Sequence, residues 1–302
     1  MPTLIEVNMP RSAFIVTKPL QLMIAMTIIE QLDIGRKADL LIVDAFGNAK
    51  MVFDNLNNHQ LKKLYRAVYF FDNHKLAYQH ANKTGYGNIY IDSDVGFKKY
   101  LTLLFLKIKN PFVKISVYEE GLGSYRTDIY SSNLKKFFLR VFGVGIHFGG
   151  SAITSSIYLF KTDAYINLFH SGARKVNLIN KELSLFIEEN KEFLYFLFKY
   201  EPIKNQADKT KECHIYLTSW IPDGKFIKKL KSFSGDKFIK PHPHLKISLE
   251  RSGLIEVPGG VPAELVLDDL SKSYSKVIVY HHGTSAKRYL NSANLIFTEI
   301  KN

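Results

Sequence analysis

The feature that most constrains this fold is an alternation of short apolar runs with longer segments of helical periodicity. Runs of strand length occupy 12–16, 39–43, 67–71, 88–91, 113–118, 158–160, 213–217, 238–240, 254–257, 277–280 and 294–298. Between most of them, apolar residues recur at the spacing of an amphipathic helix. Because parallel strands need helical crossovers, the alternation predicts an α/β fold whose parallel sheets carry helices on both faces.

Helical spacing also sets the expected domain organisation. It predicts helices at 20–32, 58–65, 73–81, 96–107, 125–144, 182–200, 225–232 and 262–270, whereas Gly and Ser make 145–157 a loop. The polar segment 201–212 contains Pro202 and reads as a linker. We therefore expect a Rossmann-like doubly wound domain at 1–200, a linker at 201–212 and a second such domain at 213–302. A single larger α/β domain is the alternative.

Cysteine use and hydropathy indicate the compartment. The one cysteine, Cys213, cannot form an internal disulfide, and no Cys/His cluster has zinc spacing. No secretory signal is evident at the N-terminus, and no apolar run reaches the ~18 residues of a membrane span. These features predict a cytoplasmic protein.

The net charge of +13 needs an explanation, and the candidates are a nucleic acid, an anionic membrane and an anionic small substrate. No nucleic-acid-binding motif accompanies the charge, so we expect no nucleic acid partner. Segments 97–107 and 134–142 interleave lysine or arginine with aromatic and aliphatic residues. Such helices lie on anionic membrane surfaces, although each also fits a core helix with a solvated lysine face. The pair favours peripheral contact with an anionic membrane.

Polar motifs follow three of the predicted strands, where open α/β sheets bind their ligands. The first is Glu119-Glu120-Gly121. Adjacent residues of a strand point to opposite faces, so one carboxylate can face a cleft while the other pairs or caps. A carboxylate in a partly dry cleft can act as a general base, and Glu119 is the first choice. The alternative is a loop carboxylate that caps the following helix.

The second motif is Pro241-His242-Pro243-His244. The prolines restrict the backbone and orient His242, which can then donate a hydrogen bond to a phosphate or a leaving oxygen. A metal site with His244 is the alternative, but no third ligand follows at metal spacing until Glu250. An ordinary turn histidine is the remaining interpretation.

The third motif is Gly283-Thr284-Ser285, whose hydroxyls and backbone N–H groups can form an anion site or an ordinary helix N-cap. Glu264 lies in the first turn of another predicted helix, where it either complements the helix dipole or accepts hydrogen bonds from a ribose diol. Lys18 lies at the first strand–helix turn, and it either contacts a ligand or is merely solvated.

In this order, the acidic pair, His-Pro, Pro262-Ala263-Glu264 and Thr-Ser resemble the bacterial sialyltransferases, especially the lipooligosaccharide sialyltransferase and capsular polysialyltransferase families. The opening at 14–21 and the run at 118–125 add to the likeness, which covers most of the chain. The families often have two serines where this chain has Thr284-Ser285. Threonine keeps the hydroxyl group that serine would supply.

The resemblance implies a GT-B fold, two Rossmann-like domains facing a cleft, with CMP-sialic acid as donor, inversion at the anomeric carbon, and no cofactor or metal. Glu119 or Glu120 would be the base, in an acceptor-side N-terminal domain. His242 would stabilise the departing CMP phosphate. The remaining donor-binding residues would be Lys18, Pro243, Glu264, Gly283, Thr284 and Ser285.

The acceptor expected from the resemblance is a galactoside of a bacterial surface glycan or glycolipid, an O-antigen, lipooligosaccharide or capsule, presented at the inner membrane. Two alternatives stay open. One is a GT-B enzyme that uses another nucleotide sugar, and the other is a non-catalytic membrane-peripheral protein that binds glycolipid.

Overall fold

The computed structural model describes residues 10–58, 64–169, 175–203, 211–245 and 253–300, which form two compact α/β units. Of these residues, those in 10–16, 28–43 and 64–179 form the first unit, and those in 17–27, 44–58 and 180–300 form the second. Most of the expected linker, 204–210, lies outside the described residues.

The first unit is built on a seven-stranded sheet in the order β3-β2-β1-β4-β5-β6-β7, in which all neighbours are parallel. Its strands are β1 (Ser12–Val16), β2 (Ala38–Val43), β3 (Ala67–Phe71), β4 (Asn88–Ile91), β5 (Lys114–Tyr118), β6 (Ser156–Leu159) and β7 (Lys175–Leu178). The direction of winding reverses between β1 and β4. This reversal defines a doubly wound sheet with a switch point at those two strands.

The second unit has a five-stranded sheet in the order β10-β9-β8-β11-β12, again with parallel neighbours. Its strands are β8 (Glu212–Leu217), β9 (Asp236–Lys240), β10 (Ile255–Glu256), β11 (Lys276–His281) and β12 (Leu295–Glu299). The strand order reverses between β8 and β11. Two doubly wound parallel sheets confirm the predicted α/β class.

Helices connect these strands. They are α1 (Pro19–Gln31), α2 (Ala49–Asn58), α3 (His74–Thr84), α4 (Phe97–Lys109), α5 (Asn133–Val141), α6 (Thr162–Phe169), α7 (Leu183–Glu189), α8 (Lys191–Phe198), α9 (Gly224–Lys231), α10 (Ala263–Ser273) and α11 (Ala286–Tyr289). Within the described ranges, no helix has both the length and the apolar character needed to cross a bilayer.

Local sequence explains where many elements begin. Every residue of β1 is buried, as expected for a strand covered on both faces of a parallel sheet. Polar side chains start the helices by accepting hydrogen bonds from free backbone N–H groups. Asn73 accepts from Leu76 at the start of α3, Ser132 caps α5, and Asp223 caps α9.

The helix expected at 58–65 falls largely on 59–63, outside the described residues; α2 ends at Asn58 and buries Ala49, Val52 and Leu56. Two other helix predictions differ from the structure. The helix expected at 182–200 divides at Asn190 into α7 and α8. The long helix expected at 125–144 is instead a 3-10 turn (Leu122–Tyr125) followed by α5. The helix begins late because Ser132 accepts a hydrogen bond from the Lys135 N–H and so interrupts the periodic pattern.

A buried carboxylate ties four strands of the first sheet together. Asp39 of β2 is fully buried and accepts hydrogen bonds from Arg11, Arg66 and Tyr86. Arg11 precedes β1, Arg66 precedes β3 and Tyr86 precedes β4, so this carboxylate joins the amino-terminal ends of the central strands. Removing one member of such a network leaves the others uncompensated.

We therefore expect Asp39→Asn to lower the free energy of unfolding by about 3 kcal/mol, because both guanidinium groups lose their counter-ion. Urea unfolding followed by circular dichroism measures the change. The matched control is Asp54→Asn, which breaks the exposed 3.0 Å pair with Lys50 within α2. That control should cost less than about 0.5 kcal/mol. Equal effects of the two variants would contradict a structural role for the Asp39 network.

Candidate functional site

In the first unit, the two carboxylates that follow β5 occupy different environments. Glu119 is only 1% exposed, and its Oε2 accepts hydrogen bonds from the Tyr125 hydroxyl (2.7 Å) and the Phe160 N–H (2.8 Å). Its own N–H donates to the Tyr158 carbonyl at 3.0 Å and so extends the pairing of β5 with β6. Glu119 is therefore anchored on both sides by its own unit.

Glu120 is the more open member of the pair. It is only partly buried, and its N–H donates to the Ser124 hydroxyl at 2.8 Å. Its carboxylate lies against Gly123, where an added Cβ would come within 2.1 Å of Glu120 Oε2. Gly121 has φ +92, which turns the chain sharply just after Glu120. Glu120 is therefore more accessible to solvent than Glu119.

In the second unit, His242 has a defined tautomer and an unusual environment. The backbone N–H of His242 donates to Thr218 Oγ1 at 3.0 Å. The ring Nδ1 of His242 accepts from the backbone N–H of His244 at 3.3 Å. With Nδ1 acting as acceptor, the ring proton resides on Nε2. Burial, followed by the charges of His244, Lys18 and Lys240, lowers the pKa of His242 to about 4. The ring is therefore a neutral Nε2–H donor near pH 7.

The only tryptophan of the chain lies beside this histidine and escaped the sequence analysis. Trp220 follows the end of β8, is 60% exposed, and stacks on His242 at 4.8 Å and on His244 at 4.9 Å between ring centroids. Its position just after an apolar strand is the sequence signal that could have identified it as a candidate site residue. Trp220 covers one face of the candidate hydrogen-bond donor.

The loop that contains Pro243 is held by backbone contacts within the second unit. The Gly47 N–H donates to the Pro243 carbonyl at 2.8 Å, and His244 Nδ1 contacts the Ala45 carbonyl. A Cβ at Gly260 would lie 2.2 Å from the Gly47 carbonyl oxygen, so this position accepts only glycine without displacement. Close packing of two glycine turns therefore sets the direction of the histidine loop.

A buried lysine and a buried glutamate lie beneath this loop. Lys240 donates from Nζ to the carbonyls of Gly259 (3.2 Å) and Pro241 (3.4 Å), and burial lowers its pKa to about 8. Burial raises the pKa of Glu264, whose Oε1 accepts a 3.2 Å hydrogen bond from Ser285. Lys240 was also missed from sequence, because nothing local distinguishes it from a solvated strand lysine.

The Gly-Thr-Ser segment makes specific contacts at the end of β11. Gly283 has φ +91 and donates its N–H to His281 Nδ1 at 3.0 Å. Thr284 Oγ1 accepts at 3.3 Å from the N–H of Ala286, the first residue of the four-residue helix α11. The Thr284 hydroxyl thus holds the turn before α11, and the Ser285 hydroxyl links this segment to Glu264.

Lys18 also belongs to the second unit, and its charge contributes to the lowered pKa of His242. Beside it, Thr17 donates through its N–H and its hydroxyl to Gln21 Oε1, both at 2.8 Å. The Gln21 Nε2 group is buried without a hydrogen-bond partner.

The predicted site residues thus divide between the units. Glu119 and Glu120 lie in the first; Lys18, His242, Pro243, Glu264, Gly283, Thr284 and Ser285 lie in the second. In the second sheet, β8 pairs with both β9 and β11, so the segments carrying Thr218, His242 and Gly283 leave the same edge. Among the described residues, no group of three or more His, Cys, Asp or Glu side chains is arranged to hold a metal ion.

Comparison with known proteins gives a structural relationship. No protein-family model and no curated protein sequence matches the chain. The crystal structure of Arabidopsis thaliana UGT89C1 complexed with UDP-L-rhamnose is similar, with a TM-score of 0.51 over 93% of this chain and 76% of that chain, at 8% identity. At this identity the similarity concerns the fold alone. It confirms the predicted GT-B-type class with two Rossmann-like doubly wound units.

The lowered pKa of His242 predicts a specific pH dependence of stability. The unfolded chain binds a proton near the ordinary pKa of 6.5 and the folded chain only near about 4, so stability falls as pH drops through that window. Allowing for partial exposure, we expect the parent to lose about 1 kcal/mol more than His242→Asn between about pH 7 and 5.

Urea unfolding at both pH values measures this difference. His74→Asn, at an exposed position in α3, is the matched control and should follow the parent. An identical pH response in the parent and in His242→Asn would contradict a neutral, desolvated His242.

Proposed function

We propose that this protein is a glycosyltransferase that uses a nucleotide-sugar donor. More specifically, we propose an inverting sialyltransferase that transfers sialic acid from CMP-sialic acid to a glycan or glycolipid acceptor of a bacterial surface, with a galactoside as the first candidate. The observation that carries the proposal is His242, a neutral Nε2–H donor with Lys18 and Lys240 nearby, at the carboxyl edge of a doubly wound sheet.

The leaving group explains why this arrangement suits CMP. Departure of CMP breaks the bond between the anomeric carbon and the phosphate oxygen, and that oxygen takes the electron pair. A monophosphate develops less charge than a diphosphate, so an imidazole N–H, an ammonium group and hydroxyls can stabilise it without a divalent ion. In this proposal His242 donates to the departing phosphate, and Lys18 supplies positive charge.

The remaining donor contacts follow from the same segment. In this proposal the hydroxyls of Thr284 and Ser285 contact the phosphate, and Gly283, with φ +91, supplies the turn that presents them. Glu264, which is buried and accepts from Ser285, is the proposed contact of the ribose. The 3.2 Å hydrogen bond from Ser285 to Glu264 supports a shared role for this pair, because a ligand that contacts one side chain also affects the hydrogen bond to the other. Pro243 restricts the backbone beside His242 and is itself held through its carbonyl by Gly47.

The base belongs to the carboxylate pair of the first unit. The acceptor hydroxyl oxygen attacks the anomeric carbon and passes its proton to a carboxylate, so one C–O bond forms as the bond to phosphate breaks. Glu120 is better suited than Glu119, the first choice from sequence, because Glu119 is buried and accepts two hydrogen bonds from its own unit. In this assignment Glu119 positions the turn that carries Glu120.

A transferase that uses a UDP-sugar is the second candidate. It is favoured by the similar structure, which is complexed with UDP-L-rhamnose. Donor selection separates the two candidates, because each nucleotide should stabilise only a protein that binds it.

We expect CMP, at about a hundred times its Kd, to raise the thermal unfolding midpoint by roughly 5 °C, whereas UDP and GDP should have no comparable effect. Trp220 is the single tryptophan and stacks on His242, so its fluorescence should respond to CMP in parallel. Sugar transfer from CMP-sialic acid should persist in EDTA. A larger response to UDP, or activity that EDTA abolishes and magnesium restores, would overturn the CMP assignment.

For the base, we expect Glu120→Gln to lower kcat by about 10²–10⁴-fold and to remove the corresponding limb of the pH–rate profile. Glu119→Gln should instead lower the thermal midpoint, because one of two hydrogen-bond acceptor oxygens becomes a donor. CMP release from donor and acceptor measures kcat for both. Near-parental turnover in both variants would show that neither carboxylate is the base, and the reverse pattern would assign the base to Glu119.

A further inference from the structure

Two helices of the first unit expose their apolar faces. Helix α4 presents Phe97, Phe105 and Ile108, which are 56%, 54% and 66% exposed. Helix α5 has no buried residue, and its exposed apolar residues recur at 134, 137, 138 and 141, the spacing of one helix face. We name the exposed side chains of these two helices the apolar–basic face.

The two helices are held to each other by the loops at one end. The Gly96 N–H, at the start of α4, donates to the Gly145 carbonyl at 3.1 Å, just after α5. The buried Asp94 carboxylate accepts from the N–H groups of Gly149 and Ser151, both at 2.8 Å, and from the Thr154 hydroxyl at 2.6 Å. A fully buried carboxylate with three donors is an anchor that fixes the loop after α5.

The charge on this face has a single sign. Lys98, Lys107 and Lys109 accompany the apolar residues of α4, and Lys135, Lys136 and Arg140 those of α5. The sequence contains no Asp or Glu between 95 and 118 or between 129 and 162. A surface of this composition repels the same surface on a second copy of the chain. It attracts a negatively charged surface.

A cavity of about 1070 Å³ beside α4 has the same chemistry. It is lined by Tyr78, Phe97 and Phe105, by Lys75 and Lys98, and by uncharged polar residues such as Gln79 and Asn82, from α3 and α4. The charged groups among these residues are lysines. The cavity therefore extends the apolar–basic face rather than interrupting it.

We propose that the apolar–basic face docks on an anionic lipid bilayer. Phenylalanine and aliphatic side chains of such helices enter the boundary between headgroups and acyl chains, while the lysines contact lipid phosphates. Charge complementarity selects this occupant over a second copy of the chain. The inference goes beyond the proposed function, because it requires no catalysis and holds for any nucleotide donor.

The test is flotation of the full chain with phosphatidylcholine vesicles, with and without phosphatidylglycerol. We expect binding to the anionic vesicles only, weakened by high salt. Phe137→Ser with Phe138→Ser should lower the partition coefficient by at least about tenfold, because two exposed phenylalanines no longer enter the bilayer. Lys98→Gln with Lys135→Gln should lower it about tenfold or more.

Matched controls exist in the second unit. Leu185→Ser removes an exposed apolar residue from α7, and Lys228→Gln with Lys229→Gln removes two exposed lysines from α9. Both should bind vesicles as the parent does. Because α5 has no buried residue, we expect the phenylalanine variants to fold normally, which the thermal midpoint verifies.

Three outcomes would overturn the proposal. The first is equal binding to neutral and anionic vesicles, or to neither. The second is an equal loss of binding in the control variants. The third is a concentration-dependent dimer in sedimentation velocity that Phe137→Ser with Phe138→Ser abolishes, since the face would then be covered by a second copy of the chain.

Discussion

The parallel pairing of β8 with both β9 and β11 is the constraint on which the second unit's candidate site depends. Parallel strands all end at the same edge, so three loops that are distant in sequence leave the sheet side by side. These loops carry Thr218, His242 and Gly283. Because the winding direction reverses between β8 and β11, their connections diverge and leave room for a ligand at this edge. The sheet therefore assembles the site without a dedicated binding element.

Burial then gives these groups their chemical character. Desolvation disfavours charge, so it lowers the pKa of His242 and of Lys240 and raises that of Glu264. The His242 ring is consequently neutral near pH 7 rather than an imidazolium. Lys240 donates hydrogen bonds to the backbone carbonyls of Pro241 and Gly259, and these bonds support the loop that carries His242. Backbone contacts and desolvation thus make an ordinary His-Pro turn a directed hydrogen-bond donor.

The first unit shows the same division between anchoring and exposed groups. Glu119 Oε2 accepts hydrogen bonds from Tyr125 and Phe160, whereas Glu120 is partly exposed beside Gly123. The Asp94 carboxylate likewise accepts its hydrogen bonds from the loop after α5. Buried carboxylates in this unit position the chain. The greater exposure of Glu120 favours it over Glu119 as the base in our proposal.

The sequence by itself determined the α/β class, the positions of most strands and the polar motifs at their ends, because apolar periodicity and turn residues act locally. Tertiary structure decided which acid of the Glu119–Glu120 pair is buried, and it placed Trp220 and Lys240 around His242. It also showed that residues 125–144 hold a capped short helix rather than a long one. These features depend on contacts between segments far apart in the chain, such as Gly47 with Pro243, and no local pattern encodes such contacts.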